Sequence, residues 1–125
     1  MMPNTDVKEI LKKNGFRFDK RYGQNFLTDE TLLKTLVEKT GVGKDDTVIE
    51  IGVGAGTLTA ALSDAAKRVI GFEIDRRLQP VLAETLKGRD NVEIVFADVM
   101  KISTEEIVEK AGGRFSVVAN LPYYI

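Results

Sequence analysis

Short apolar strands alternate with amphipathic helices from residue 47 to residue 120, and this alternation limits the fold more than any other feature. The predicted strands are 47–51, 68–73, 92–97 and 115–120, and the predicted helices between them are 57–66, 76–87 and 103–110. Strands joined through helices form a parallel sheet with right-handed crossovers, and near-continuous apolar strands indicate burial on both faces. The sequence therefore predicts a Rossmann-like α/β domain with the strand order 3-2-1-4.

The N-terminal part of the chain differs from the rest in charge. Helices are predicted at 5–13 and 29–40, and residues 8–21 contain six basic and two acidic side chains, a local charge of +4 in a chain of net charge -1. Such a run is either a solvated face or a segment that contacts phosphates. We divide the chain into an N-terminal basic helix and contact segment (1–27) and a partial α/β domain (28–125).

The composition excludes several kinds of chemistry. The 125 residues include no cysteine and no histidine, which removes Ser–His and Cys–His nucleophile pairs and the usual zinc ligands. We therefore predict no metal site, and a reaction that transfers an already activated group. No apolar run approaches the roughly 20 residues of a membrane span, and the first residues lack a signal-like stretch. A cytoplasmic protein that does not associate with membranes is expected.

A glycine-rich turn follows the first predicted strand, with the sequence Glu50-Ile51-Gly52-Val53-Gly54-Ala55-Gly56-Thr57. Glycines let a backbone turn tightly and approach a ligand closely. A dinucleotide fingerprint would place its third glycine at position 57, where this chain has threonine. The pattern favours S-adenosylmethionine over a pyrophosphate-containing cofactor. The alternative is that the glycines form only a strand-to-helix turn.

Acidic residues end the next two predicted strands. Glu73 lies 21 residues after Gly52, close to the spacing of about 20 at which an acidic residue binds a ribose in such folds. Asp98 follows the third strand, where its carboxylate could accept a hydrogen bond from the adenine amino group of the cofactor. We interpret Glu73 as the ribose ligand and Asp75 as the cap of the next helix. The alternative is that these acids only cap the helix.

The fourth predicted strand leads into Asn120-Leu121-Pro122-Tyr123. The N6 amine of adenine is a poor nucleophile because its lone pair is delocalised into the ring. The Asn120 side-chain oxygen and the Leu121 carbonyl could accept hydrogen bonds from that amine, and Tyr123 could stack on a base taken out of its helix. Attack on a sulfonium methyl group then needs no strong base. The alternative is an ordinary strand followed by a proline turn.

Taken together, these motifs resemble the ribosomal RNA adenine N6-dimethyltransferases of KsgA type. The most specific parts are Gln24-Asn25-Phe26-Leu27 and Asn120-Leu121-Pro122-Tyr123-Tyr124-Ile125, and the resemblance runs from about residue 16 to residue 125. It implies S-adenosylmethionine as methyl donor and N6,N6-dimethylation of two adjacent adenosines near the 3′ end of small-subunit rRNA. With Gly54 added from the turn, the cofactor contacts that it implies are Asn25, Leu27, Gly52, Gly54, Glu73, Asp98 and Asn120. The implied catalytic residues are Asn120, Leu121, Pro122 and Tyr123.

This chain departs from the resembled family by omission. We expect a methyltransferase fold truncated after its fourth parallel strand, without the further sheet strands and the C-terminal helical domain of that family, and inactive by itself. An open apolar edge on strand 4 is a pairing hazard, which predicts either self-association through residues 115–120 or marginal stability. Small-subunit rRNA and the 30S ribosomal particle are the expected partners.

Three other functions stay open on the sequence. The first is a 23S rRNA adenine N6-methyltransferase of the macrolide-resistance type, which shares Gln24-Asn25-Phe26-Leu27. A second is a non-catalytic methyltransferase fold that serves ribosome assembly or transcription. The last is a NAD-dependent dehydrogenase.

Overall fold

The computed structural model describes residues 4–16 and 30–119, with side chains from residue 9 onward in the first range. Its helices are α1 (Asn4–Lys13), α2 (Glu30–Thr40), α3 (Thr57–Ala65), α4 (Gln79–Thr85) and α5 (Thr104–Ala111). Its strands are β1 (Thr47–Ile51), β2 (Arg68–Glu73), β3 (Val92–Phe96) and β4 (Ser116–Ala119). Short 3-10 turns at Arg76–Leu78 and Val99–Lys101 come after β2 and β3.

The four strands form one parallel sheet with the order β3-β2-β1-β4, which confirms the predicted topology. The register sets the carboxyl ends of the strands side by side. Ile51 pairs with Phe72 and with Ala119, and Glu73 pairs with Phe96. The segments that leave the strands at their carboxyl ends therefore meet at one edge of the sheet.

The prediction of one continuous helix over residues 76–87 is wrong. A 3-10 turn at Arg76–Leu78 precedes α4, which ends at Thr85. Pro80 has no N–H to donate to the Arg76 carbonyl, so an α-helical hydrogen bond cannot form at this step. The other helices lie within one residue of their predicted bounds. Ser103 caps α5 as predicted, because its hydroxyl accepts from the Glu106 N–H at 3.1 Å.

The core has two layers, one on each face of the sheet. On one face α1, α2, α3 and α4 bury their apolar side chains against Val48, Val69 and the β3 residues Val92 and Ile94. On the other face Ile49, Ile70, Phe72 and Ala111 of α5 form a smaller cluster.

Every strand was predicted from the sequence to be buried on both faces. This prediction is wrong for the two outer strands, β3 and β4. β1 and β2 are almost wholly buried, whereas β3 is half-buried and most of β4 is exposed. An outer strand has a neighbour on one side alone, and α5 packs over the centre of its face rather than over β4. Val117 of β4 is consequently 55% exposed. In the described part of the chain, no helix has the length and apolar content that crossing a membrane requires.

The first helix packs onto the α/β core. Ile10 and Leu11 of α1 are buried in the same cluster as Val81 and Leu82 of α4. Ile10 and Leu11 are therefore the residues through which α1 meets α4. An ion pair of 2.9 Å between Lys13 and Glu84 supports this contact at the surface.

Candidate functional site

The glycine-rich turn between β1 and α3 forms the centre of the site. Gly52, Gly54 and Gly56 all have positive φ, at 81°, 59° and 87°, a region that residues with a side chain rarely adopt. The Gly52 N–H donates to the Phe72 carbonyl at 2.9 Å, which extends the β1–β2 ladder by one residue. The first residue of the turn is therefore hydrogen-bonded to β2, and the chain then continues toward α3.

Gly56 lets the start of α3 approach α4. A Cβ atom at this position would lie 2.8 Å from both Leu82 Cδ2 and Thr85 Oγ1. Because its φ is also positive, both the backbone conformation and the space demand glycine here. The third glycine of the turn thus serves packing between helices.

Glu73 joins β2 to this turn. Its Oε1 accepts from the Gly54 N–H at 2.7 Å and its Oε2 accepts from the Asp75 N–H at 3.0 Å. The residue is only 8% exposed although it ends a strand at the sheet edge. Gly52, Gly54 and Glu73, which were predicted from the sequence to act together, are brought together by the fold.

Asp75 and Asp98 occupy equivalent places after β2 and β3. Each caps the 3-10 turn beyond it: Asp75 accepts from the Arg77 N–H at 3.0 Å and Asp98 from the Met100 N–H at 3.0 Å. The capping role predicted for Asp75 is confirmed. Its Arg77 partner also lowers the pKa of the Asp75 carboxyl, chiefly through their side-chain hydrogen bond.

Two exposed apolar residues at this edge were missed in the sequence analysis. Ile74 is 68% exposed beside Glu73, and Met100 is 87% exposed two residues after Asp98. A contiguous exposed apolar patch with a polar rim marks a binding surface, whereas a single exposed apolar residue is ordinary. Ile74 and Met100 become candidates because both lie at the edge that carries Glu73 and Asp98. The available signal was Ile74 itself, an isoleucine set between two acids just beyond the end of a strand.

Glu50 is a buried acid beneath the turn. The Thr59 hydroxyl of α3 donates to its Oε1, while its Oε2 has no hydrogen-bond partner among the described residues. Burial raises the pKa of Glu50 to about 8; the Thr59 hydrogen bond opposes that change, and the charge of Glu73 adds to it. The carboxyl is therefore mostly protonated at neutral pH and links β1 to α3 as a neutral group.

The remaining predicted site residues lie outside the described residues. They are Asn25, Leu27, Asn120, Leu121, Pro122 and Tyr123. β4 ends at Ala119, which pairs with Ile51 just before the glycine-rich turn. Over residues 4–16 and 30–119, no group of three or more acidic side chains is placed to hold a metal ion.

Comparison with known proteins shows which family this chain resembles. The family model described as ribosomal RNA adenine dimethylase matches residues 15–125. A ribosomal RNA small subunit methyltransferase A of Enterococcus faecalis is 50% identical over 122 residues, which cover 95% of this chain and 41% of the relative. The chain thus spans about two fifths of the length of the curated relatives it matches.

Two solved structures share the fold and part of the sequence. The 23S rRNA methyltransferase ErmE has a TM-score of 0.63 at 34% identity, covering 79% of this chain and 38% of that protein. A dimethyladenosine transferase from Plasmodium falciparum has a TM-score of 0.61 at 29% identity, covering 78% of this chain and 34% of that protein.

Proposed function

The chain belongs to the ribosomal RNA adenine dimethylase family, and on that premise we propose that it binds S-adenosylmethionine at the carboxyl edge of its sheet. Within the full protein it would take part in N6,N6-dimethylation of adenosines in small-subunit rRNA. The observation that carries this proposal is the 2.7 Å hydrogen bond from the Gly54 N–H to Glu73. It joins the turn that would face the methionine part to the acid that would hold the ribose.

The residues at this edge fit such a cofactor. A Cβ built on Gly54 would meet no atom within 4 Å, so a ligand has room to approach the backbone of the turn. Each Glu73 oxygen accepts one backbone N–H and keeps a lone pair that could accept from a ribose hydroxyl. Ile74 and Met100 offer apolar surface for an adenine ring near the Asp98 carboxylate.

The chemistry divides between the cofactor and the chain. When bound, S-adenosylmethionine supplies a methyl group activated by sulfonium charge, which passes to the adenine nitrogen as the carbon–sulfur bond breaks. We assign Asn120 and the Leu121 carbonyl to orient the two N–H groups of that nitrogen. Tyr123 would stack on the base, and Pro122 would hold Leu121, the residue before it, in an extended conformation. The proton leaves the methylated nitrogen readily, which suits a chain without histidine or cysteine.

Relatives favour small-subunit rRNA as substrate. Curated relatives named ribosomal RNA small subunit methyltransferase A match at 42–50% identity, above the 34% of the 23S rRNA enzyme. The structural likeness to that 23S enzyme keeps large-subunit rRNA as a second candidate substrate. A pyrophosphate cofactor is disfavoured by Thr57 in place of a third glycine.

The wider setting rests on the same premise. We propose the 30S particle as partner, the cytoplasm as location, and residues 1–27 as a segment that contacts cofactor and RNA beside the domain formed by 28–125. Taken alone, the 125 residues would self-associate through β4, since Val117 is 55% exposed on this edge strand.

Methyl transfer from labelled S-adenosylmethionine to 30S and 50S particles tests the proposal in the full-length protein. The particles should come from cells that lack the modification. We expect label in 30S adenosines, and its loss in Glu73→Ala and Asn120→Ala. Glu93→Ala is the matched control, because Glu93 lies on β3 toward the opposite end of the sheet and pairs with Arg68 and Lys110.

The outcomes separate the candidate functions. Label confined to 50S particles would support the large-subunit substrate instead. Binding of S-adenosylmethionine without transfer to either particle would support a non-catalytic role in assembly. Calorimetry that detects NAD but not S-adenosylmethionine would overturn the proposal altogether.

A further inference from the structure

Gly71 occupies an unusual place for a glycine, the interior of the central strand β2. It pairs with Glu50 of β1 on one side and with Ile94 of β3 on the other. Glycine weakens a strand interior, and where it occurs it often marks the close approach of another group. Its φ is not among the positive values of this chain, so the position does not need the conformational freedom of glycine.

Position 71 requires glycine because there is no space for a side chain. A Cβ built on Gly71 would lie 2.4 Å from Val53 Cγ2 and 3.0 Å from Ile94 Cδ1. Real Cβ atoms essentially never approach another heavy atom to within 3.0 Å. Val53 comes from the glycine-rich turn and is 1% exposed, so its side chain fills the space above Gly71.

Two hydrogen bonds attach the residues on either side of Val53 to β2. The Gly52 N–H binds the Phe72 carbonyl at 2.9 Å, and the Gly54 N–H binds Glu73 Oε1 at 2.7 Å. Val53 sits between those glycines and rests on Gly71. The turn is therefore attached to three consecutive residues of β2, through the apolar contact at Gly71 and the hydrogen bonds at Phe72 and Glu73.

We propose that Val53 and Gly71 are positioning residues that set the height of the glycine-rich turn above β2. Their contact places the Gly54 N–H against Glu73 and so determines affinity for the cofactor. The inference rests on the proposed function for its link to S-adenosylmethionine, while the packing of the turn can be measured without any ligand.

A compensation experiment in the full-length protein tests this inference. Gly71→Ala should raise the turn and weaken binding of S-adenosylhomocysteine by about tenfold or more in calorimetry, because overpacking a filled site forces backbone shifts. Adding Val53→Ala to Gly71→Ala removes the clashing methyl group and should restore affinity to within about threefold of the original protein. Ile94 Cδ1 can give way in this double variant, since it is the end of a flexible side chain.

Val69→Ala is the matched control. Val69 is fully buried on the same face of β2, two residues nearer its start and away from the turn. This variant should lower the unfolding midpoint as Gly71→Ala does, yet leave affinity unchanged at a temperature where both are folded. Equal losses of affinity in the two variants, or no rescue by Val53→Ala, would overturn the inference.

Hydrogen exchange of the Gly54 amide, measured without ligand, separates this inference from the proposed function. Gly71→Ala should speed that exchange, the double variant should slow it again, and Val69→Ala should leave it unchanged. If the original protein bound no S-adenosylhomocysteine while Gly54 behaved in this way, the proposed function would fail and the positioning of the turn would stand. Unchanged Gly54 exchange in Gly71→Ala would overturn the positioning itself.

Discussion

Glu73 ends β2 and Asp98 lies two residues after the end of β3, at the same edge of the sheet, yet the two acids are held in different ways. Glu73 is 8% exposed and bonds to Gly54, which is 19 residues away along the chain. Asp98 is half-buried and bonds to Met100, two residues away. A long-range bond makes Glu73 part of the framework that positions the turn, whereas the local bond of Asp98 organises its own loop alone. The two predicted cofactor contacts should therefore respond differently to mutation.

The largest effect is expected from Glu73→Ala. The variant removes the acceptor for a ribose and leaves the Gly54 N–H without its partner. We expect binding of S-adenosylhomocysteine to weaken by about 100-fold or more, since hydrogen bonds to charged groups contribute about 1.5–3 kcal/mol each. The unfolding free energy should fall by about 1–3 kcal/mol as well, because the half-buried Gly54 and Asp75 N–H groups lose their acceptor and each such hydrogen bond contributes about 0.5–1.5 kcal/mol. Calorimetry and urea unfolding would measure the two quantities.

Glu73→Gln keeps the shape and one of the two acceptors: its amide oxygen can accept from the Gly54 N–H, whereas its NH2 group cannot accept from the Asp75 N–H as Glu73 Oε2 does. It should lose less stability than Glu73→Ala and still lose most of the affinity. A Glu73→Ala variant that is as stable as the original protein would contradict the framework role assigned to this residue.

The next effect concerns pH and Glu50, the buried acid on the strand beside Glu73. Its pKa is raised from 4.5 to about 8 in the folded protein, mainly by burial. The folded state therefore holds a proton that the unfolded state releases between those two values. Stability contributed by this group is present in full below pH 4.5 and is lost as pH rises toward 8.

Glu50→Gln isolates this contribution, because glutamine keeps the acceptor for Thr59 and does not ionise. The difference in unfolding free energy between Glu50→Gln and the original protein should move in favour of the variant by about 1 kcal/mol per pH unit between pH 5 and pH 8. Urea unfolding at several pH values measures it. A difference that stays constant with pH would show that Glu50 is ionised in the folded state.

Asp98→Ala should have a smaller effect, confined to binding. Loss of one acceptor for the adenine amino group predicts about tenfold weaker binding of S-adenosylhomocysteine. The cap on a 3-10 turn contributes about 1 kcal/mol or less to stability. Asp98→Asn keeps an oxygen that can accept from Met100 and is the matched control. If Asp98→Ala lost as much stability as Glu73→Ala, the contrast between the two acids would be wrong.

The position of Glu73 and Asp98 at one edge of the sheet was predicted well from the sequence. Alternating strands and helices sufficed for the strand order and hence for bringing Gly52, Glu73 and Asp98 to one edge. Strand ends are predictable because a parallel sheet aligns them whatever the side chains between them do. The roles of Asn25, Leu27 and Asn120–Tyr123 stay predictions, since those residues lie outside the described part of the chain.

The features that the sequence could not show depend on contacts between distant segments. The apolar contact of Val53 with Gly71 requires knowing that the turn folds back over β2, although an isolated glycine in a strand pattern signals a close approach. The raised pKa of Glu50 depends on burial from α3 above and from both neighbouring strands. Exposure of Ile74 likewise depends on where β2 ends, which no local pattern states.

The smallest predicted effect is the influence of the charges of Glu73 and Asp98 on the pKa of Glu50. Burial is the main cause of the raised pKa of Glu50, and the charge of Glu73 adds to it. Glu73→Gln removes that charge and should lower the Glu50 pKa, while burial, the larger cause, keeps it above 4.5. Asp98→Asn removes a charge from the same edge of the sheet, two strands away from β1, and should leave the pKa of Glu50 unchanged. Carbon-13 NMR of the glutamate carboxyl groups, titrated in each variant, would follow Glu50 directly. Equal shifts of the Glu50 pKa in the two variants would mean that Glu73 and Asp98 act on Glu50 to the same extent. The difference between the two acids would then be limited to their hydrogen bonds and would not include the effect of their charges.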